Sequence, residues 1–221
     1  MRLTRTYRLA RMGVGLLVLA CGDGGGGTEP PGPPTQLTKT DGDNQSWYFN
    51  NALPRPYAVT VQDANGRGVP GVSVAWAVAS GGGSVTPSQS TTTASGVATA
   101  TLTLGPSAQT QTVTATAAGL PPATFTATAT PPPASAAVDL INVRFRPADT
   151  AVVAGGTVTW TWRDNPTPHN VTFTGGPAPL PANTETQATG THEVTFTTVG
   201  VYAYTCTIHA GMDGKVHVVN P

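Results

Sequence analysis

The sequence contains little cysteine and little charge. Cys21 and Cys206 are its two cysteines, and 10% of its 221 residues are charged. Because neither cysteine lies in the long segment 36–130, no disulfide bond can stabilise a fold there. No lysine and arginine cluster follows the first eleven positions, which excludes the basic surface expected of a nucleic-acid-binding protein. No paired carboxylates, Ser–His pair or phosphate-binding glycine motif indicates an enzyme.

The formal net charge of zero hides an uneven distribution. Eleven basic residues balance eleven acidic ones, but four of the basic residues are Arg2, Arg5, Arg8 and Arg11. Without those four, seven basic residues face eleven acidic ones, so the rest of the chain has a net charge near −4. The protein that follows the N-terminal segment is therefore mildly acidic.

Long apolar runs and helical periodicity are also missing. The apolar run 12–20 has nine residues, whereas a helix needs roughly 20 to span a bilayer. No long segment repeats its apolar residues every 3.6 positions. Threonine, alanine, valine and glycine are abundant instead, and this composition favours short strands and turns. We therefore expect an all-β fold.

The N-terminal segment 1–21 is typical of an export signal, with arginines before the apolar run. It ends Val18-Leu19-Ala20-Cys21, which resembles a bacterial lipobox and makes Cys21 the expected site of lipidation. An ordinary signal peptide cut near Ala20 and an uncleaved anchor are the alternatives. The Gly/Pro-rich segment 22–35 has the composition of a tether. We expect an exported, membrane-anchored lipoprotein, periplasmic or on the cell surface.

Segment 36–130 alternates apolar and polar residues in several short runs. Val72, Val74, Trp76 and Val78 keep a period of two, which predicts one buried strand face with Trp76 in the core. Repeated short strands with turns favour a β-sandwich. The amino-acid sequence of these strands resembles that of the invasin-type bacterial Ig-like domain, and this resemblance implies a spacer or adhesive module. The matching stretches include Val59-Thr60-Val61-Gln62-Asp63, Gly68-Val69-Pro70-Gly71-Val72 and Gly96-Val97-Ala98-Thr99-Ala100.

Three prolines in the segment 131–136 predict an extended linker, because proline cannot join the interior of a sheet. The remaining segment, 137–221, again alternates, and we expect two packed sheets. The long polar stretch 175–190 is expected to be a loop. The predicted strands are marked by Ile141, Val143 and Phe145, by Val158, Trp160 and Trp162, by Val171 and Phe173, by Val194 and Phe196, by Tyr202, Tyr204 and Cys206, and by Val216 and Val218.

Four side chains near the C-terminus form a set that selects copper. Cys206, His209 and Met212 follow one another at spacings of three, and His169 lies 37 residues before Cys206. Two imidazoles, a thiolate and a weak thioether are the ligands of a blue electron-transfer copper site. The Cys-x2-His spacing by itself also occurs in zinc sites. Taken singly, the cysteine, the methionine and the first histidine have ordinary structural explanations, so the prediction depends on the joint pattern.

The whole segment resembles the cupredoxins, in particular the plastocyanin and amicyanin group. Thr157-Val158-Thr159-Trp160, Pro168-His169-Asn170-Val171 and Gly200–Met212 carry the resemblance. It implies a Greek-key sandwich, one mononuclear type-1 copper and redox partner proteins. It also implies that Asn170 ties the two ligand segments together outside the ligand set. Ile208 stands where amicyanin usually has proline.

His192 and His217 lie on predicted strands, and we expect both side chains to face solvent. The expected function is single-electron transfer between redox partners, not catalysis. Two alternatives stay open: a cell-surface adhesion or display protein with a structural copper domain, and a copper storage or delivery protein.

Overall fold

The computed structural model describes residues 29–221, and every regular element in that range is a β-strand. The all-β prediction is therefore confirmed for the described part of the chain. Within it, no helix is long and apolar enough to cross a membrane. The predicted signal segment, with Arg2 to Arg11 and the lipidation site Cys21, lies outside the described residues.

Nine strands form the first sandwich, in two sheets ordered β1-β3-β7-β5 and β2-β9-β8-β4-β6. The strands are β1 (Gln36–Asp41), β2 (Gln45–Tyr48), β3 (Tyr57–Gln62), β4 (Ser73–Ser80), β5 (Ser84–Thr86), β6 (Gln89–Thr91), β7 (Val97–Thr103), β8 (Thr110–Ala117) and β9 (Ala123–Thr130). Alternate residues of β7, β8 and β9 are buried, as a period of two requires. Trp76 is buried in this core, as predicted, and its indole N–H donates to Ser90 Oγ at 2.8 Å.

Eight strands form the second sandwich, in sheets ordered β11-β10-β13-β15 and β12-β17-β16-β14. They are β10 (Ser135–Leu140), β11 (Phe145–Arg146), β12 (Asp149–Val153), β13 (Gly156–Trp162), β14 (Thr172–Gly175), β15 (Thr191–Phe196), β16 (Gly200–Thr205) and β17 (Asp213–Val219). The pairs β10–β13 and β12–β17 are parallel, and the other pairs are antiparallel. Strand β10 begins inside the segment that the prolines suggested was linker.

A separate apolar core fills the second sandwich. Trp160 lies at its centre, fully buried, with the rings of Phe173 and Tyr204 edge-on to it at 5.9 and 5.3 Å between centroids. The phenol of Tyr204 is enclosed by the same packing. Burial is the main reason why the pKa of Tyr204 is raised to about 12. A hydrogen bond with the Trp160 indole opposes this shift, and the negative charge of Asp149 adds to it. The strands that enclose this core carry the loops at one end of the sandwich.

The strand predicted from Ile141, Val143 and Phe145 is wrong. Ile141 and Arg144 exchange backbone hydrogen bonds of 3.0 and 3.2 Å, and the two residues between them have φ values of 53° and 56°. These are the features of a two-residue type I′ hairpin turn. Val143 is consequently 40% exposed. The alternation was accidental because only Phe145, after the turn, reaches the core.

Candidate metal centre

Two loops at the same end of the second sandwich carry the predicted ligands. The first loop follows β13 and contains His169, whose backbone N–H and C=O both pair with Gln187 at 2.8 and 3.0 Å. The Trp162 indole N–H donates to the His169 carbonyl oxygen at 2.9 Å. These three bonds hold the backbone of the histidine at a defined place although it lies in a loop.

The second loop joins β16 to β17 and contains the other three predicted ligands. The Cys206 N–H donates to the Met212 carbonyl oxygen at 2.9 Å, and the Thr205 hydroxyl donates to the same oxygen at 3.1 Å. His209 N–H also bonds to the Cys206 carbonyl at 3.4 Å. The loop is thus closed on itself at its base, and a glycine with φ of +76°, Gly211, makes the final turn.

The structure brings the three strongest predicted ligands together. The Nδ1 atoms of His169 and His209 are 3.1 Å apart, and Cys206 Sγ lies 4.0 and 3.5 Å from them. Ligand atoms about 2.0–2.3 Å from one metal ion in a trigonal plane are about 3.5–3.7 Å from each other. The three observed separations bracket that range. The trio therefore fits a single metal ion with little rearrangement.

Burial separates the ligands into an enclosed group and an open edge. His169, Cys206 and Met212 are 0%, 2% and 1% exposed, whereas His209 is half-buried at the surface. Within the described residues this is the one group of three or more metal-ligating His, Cys, Asp or Glu side chains. A buried thiolate with two imidazoles suits copper better than a hard cation such as magnesium or calcium, which prefers oxygen ligands.

Two family models match the chain. The model for bacterial Ig-like domains (group 1) matches residues 43–130, and the model for copper-binding proteins of the plastocyanin/azurin family matches residues 134–219. Amicyanin-alpha of Methylorubrum extorquens is 36% identical over 84 residues, which cover 37% of this chain and 69% of the relative. The chain belongs to the plastocyanin/azurin family of copper-binding proteins.

The chain is also similar to a second amicyanin and to a solved amicyanin variant. Amicyanin of Paracoccus denitrificans is 40% identical over 86 residues, covering 37% of this chain and 63% of that protein. Among solved structures, a reduced amicyanin variant has 33% identity, covers 38% of this chain and 82% of its own, and superposes with a TM-score of 0.34. Members of the plastocyanin/azurin family bind one type-1 copper and carry electrons. The prediction of copper as the cofactor and the recognition of both domains are confirmed.

Asn170 follows the first histidine of the candidate site, and its side chain bonds to two other loops. Its Oδ1 accepts the Thr207 N–H at 2.9 Å, and its Nδ2 donates to the Thr207 hydroxyl at 2.8 Å. A further bond joins Nδ2 to the Thr186 hydroxyl at 3.1 Å. Asn170 is 5% exposed, so its side chain joins the two ligand loops through hydrogen bonds that are largely shielded from solvent.

Asp164 is a residue of the cupredoxin site that the sequence reasoning missed. Its Oδ2 lies 3.2 Å from His169 Nε2, on the side of the ring away from the other ligands. Burial alone would raise the pKa of Asp164, but hydrogen bonds from the Val143 N–H and from His169 outweigh it, and the pKa lies below its ordinary value. Asp164 lies five positions before His169, so the sequence showed a carboxylate nearby. No local pattern indicated that this carboxylate would contact the histidine ring.

The expectation that His192 and His217 face solvent is wrong for His192 and holds only in part for His217. Positions 192, 194 and 196 have the same parity, so His192 shares the face of Val194 and Phe196, and it is half-buried 6.0 Å from the Trp160 ring. Its burial, opposed by a hydrogen bond to Ala182, lowers the pKa of His192. His217 does face away from the core. It is half-buried because its ring meets Trp47 of the first sandwich edge-on at 6.0 Å.

Proposed function

We propose that this chain is an exported, membrane-anchored carrier of single electrons, in which His169, Cys206, His209 and Met212 hold one copper ion. The observation that carries the proposal is the convergence of two imidazole nitrogens and one buried thiol within hydrogen-bonding distances of each other. Membership of a copper-binding family supports the choice of metal.

The chemistry of each ligand matches this role. A bound copper ion supplies a one-electron couple between Cu(I) and Cu(II). Cys206, as thiolate, and the two histidines would hold the ion, and the weaker Met212 thioether would help to tune its potential. Because the protein holds the ligands through Asn170 and the loop-closing backbone bonds, they need little movement on electron transfer.

The exposed edge of His209 is the proposed route for electrons. Pro168, Ala210 and Gly211 around it are exposed and carry no charge, so they form a small apolar docking rim. Ile208, which is 47% exposed, extends the rim. A redox partner that covers this rim would bring its own centre close to the His209 ring.

The proposed anchor is a lipid on Cys21, reached through the tether 22–35, of which Gly32 and Thr35 are bonded to the first sandwich. The arginines and apolar run before Cys21 support export, and the match to a bacterial Ig-like domain supports a place outside the cytoplasm. Fractionation of cells that express the chain tests this point. We expect the wild type in the membrane fraction and labelled when cells are fed radioactive palmitate, and Cys21→Ser unlabelled; a wild type that takes up no label would refute lipid anchoring.

The copper proposal is tested by adding Cu(II) to the purified protein and recording visible and electron paramagnetic resonance spectra. The wild type should turn blue through an intense thiolate-to-copper band. Cys206→Ser should lose that band. The matched control is Cys21→Ser, which removes the other cysteine and should stay blue. A colourless copper-loaded wild type, or a blue Cys206→Ser protein, would refute the assignment.

The Ig-like match favours one second candidate, a surface adhesion or display protein in which copper is structural. The two candidates differ in what a copper-free protein can do. Cells carrying the Cys206→Ser protein should keep any adhesion if the first sandwich is responsible for it. Rapid, reversible electron exchange by the wild type, without release of copper, would favour electron transfer over both adhesion and copper delivery.

A further inference from the structure

The Asn142–Val143 turn has a backbone conformation that its sequence does not favour. Both residues have positive φ, 53° and 56°. Glycine is preferred at the second central position of a type I′ turn, and a β-branched residue with positive φ is a conformational outlier. Such outliers persist when surrounding contacts hold them, and they cluster at functional sites. The contacts around this turn therefore need an explanation.

The turn presents a backbone donor to a carboxylate. The Val143 N–H donates to Asp164 Oδ2 at 3.3 Å. Backbone N–H groups of a turn can form concave sites that attract anions. The same oxygen, Asp164 Oδ2, lies 3.2 Å from His169 Nε2. One carboxylate oxygen thus joins the β10–β11 turn to the buried histidine.

The two nitrogens of His169 face different partners. Nδ1 faces Cys206 and His209, and Nε2 faces Asp164. An ionised carboxylate only accepts hydrogen bonds, so the proton of a neutral imidazole must sit on Nε2 for this bond to form. Nδ1 then carries a lone pair that faces His209 Nδ1 at 3.1 Å and Cys206 Sγ at 4.0 Å, the other two ligand atoms of the proposed site.

We infer that Asp164, held in place by the Asn142–Val143 turn, is a positioning residue that selects the Nε2–H tautomer and the ring orientation of His169. The inference rests on the proposed function for its purpose, since a fixed Nδ1 lone pair is useful for binding copper. The tautomer and the ring orientation of His169 are also properties of the metal-free protein. Carboxylates that orient a metal-binding histidine in this way typically change metal affinity 10- to 100-fold when they are removed.

The first test uses the metal-free protein, so it is independent of whether copper binds. Long-range 1H–15N correlation spectra of the imidazoles report the tautomer of each histidine. We expect His169 in the Nε2–H form in the wild type and a tautomer mixture in Asp164→Ala. Asp164→Asn retains an acceptor oxygen and should preserve most of the Nε2–H form. The control is Asp139→Asn, which changes an exposed carboxylate paired with Arg163 and should have no effect.

The second test measures Cu(I) affinity by competition with a chromogenic chelator. We expect about a 10- to 100-fold loss in Asp164→Ala and a smaller loss in Asp164→Asn. If Asp164→Ala keeps both the wild-type tautomer and the wild-type affinity, the inference is wrong. If the wild type binds no copper, the proposed function fails, while the tautomer measurement still decides the role of Asp164.

The third test concerns the turn itself. Val143→Gly keeps the N–H and suits positive φ, so His169 should remain in the Nε2–H form. Asn142→Pro fixes φ near −65°, which is incompatible with the turn and moves the Val143 N–H away from Asp164. This change should shift the tautomer in the same direction as Asp164→Ala and should add little to it in the double variant. A folded Asn142→Pro protein with wild-type His169 signals would overturn the role of the turn.

Discussion

At the scale of single residues, Asn170 shows how one side chain joins two loops. It accepts a backbone N–H from Thr207 and donates to the hydroxyl of the same residue, so it bonds to both groups that the second loop offers. An amide side chain offers an acceptor oxygen and two N–H donors in fixed positions. The backbone donor of Thr207 depends on it for a partner.

We expect Asn170→Ala to destabilise the protein by about 1–3 kcal/mol, because the Thr207 N–H is left without its acceptor. Urea unfolding of the metal-free protein measures this free energy. Asn170→Asp keeps the acceptor and loses the amide donors, so its free energy of unfolding should lie between the two. An Asn170→Ala protein as stable as the wild type would show that water replaces the side chain.

At the scale of elements, strand β17 depends on a glycine beside the central aromatic cluster. A Cβ atom at Gly214 would come within 2.4 Å of Tyr204 Cζ and 2.6 Å of its hydroxyl oxygen. The Tyr204 ring therefore lies directly against the backbone of β17. Because Gly214 pairs with Tyr204 in the register of β16 and β17, this close approach is built into the sheet.

We expect Gly214→Ala to lower the free energy of unfolding by about 1–3 kcal/mol, the usual cost of overpacking a filled core. The matched control is Gly175→Ala on strand β14. There the nearest atom, Ala203 Cβ, lies at 4.0 Å, an ordinary contact, so the control should unfold as the wild type does. Thermal unfolding followed by circular dichroism compares the two, and equal losses would contradict the packing argument.

The turn after β3 is held by a buried carboxylate. Asp63 accepts backbone N–H groups from Gly32 and Arg67 at 2.8 and 2.9 Å and pairs with the Arg67 side chain. The pKa of Asp63 lies well below its ordinary value, and the hydrogen bond from the Gly32 N–H is the largest cause. Burial opposes this shift, and the hydrogen bonds from Arg67 reinforce it. A depressed pKa means that Asp63 stabilises the fold above its ordinary pKa of 3.8 and loses this contribution as the pH falls below it.

We therefore expect Asp63→Asn to melt several degrees below the wild type at neutral pH. The difference should shrink as the pH falls from about 5 to about 2, because the wild-type carboxylate becomes protonated. Melting temperatures measured across this range test the expectation. A difference that stays constant with pH would mean that the charge of Asp63 contributes nothing.

At the scale of the whole molecule, the end of β17 contacts the first sandwich. The Asn220 N–H donates to Asn51 Oδ1 at 2.8 Å, the Asn51 amide donates back to the Asn220 carbonyl at 3.2 Å, and His217 meets Trp47. The proposed copper ligand Met212 precedes the other end of the same strand. Eight residues of extended chain span about 27 Å. The Ig-like sandwich thus holds the cupredoxin sandwich at the end away from the metal centre.

We expect the two sandwiches to tumble together because of these contacts. Backbone 15N relaxation should give one common rotational correlation time for both in the wild type. The double variant Asn51→Ala, His217→Ala removes two of the side chains that join them and should give two shorter, different values. Asn65→Ala, in an exposed turn, is the control. A common value in the double variant would show that these two side chains do not keep the sandwiches together.

The sequence by itself determined the elements and the chemistry of the ligands. Period-two alternation places Trp76, Trp160 and Tyr204 inside, because successive side chains of a strand point to opposite faces. The types and spacing of Cys206, His209 and Met212 indicate copper, because all three sit in one short loop whose chemistry can be read locally.

Tertiary structure alone decided what surrounds those ligands. Alternation did not distinguish the turn at Val143 from a strand, because three residues of a period-two pattern arise by chance. His169 Nε2 bonds to the Asp164 carboxylate, and that carboxylate accepts the N–H of Val143, which lies 21 residues before it in the sequence. Such contacts depend on which strands lie side by side. Pairing of strands is set by the packing of the whole sandwich, and no local pattern records it.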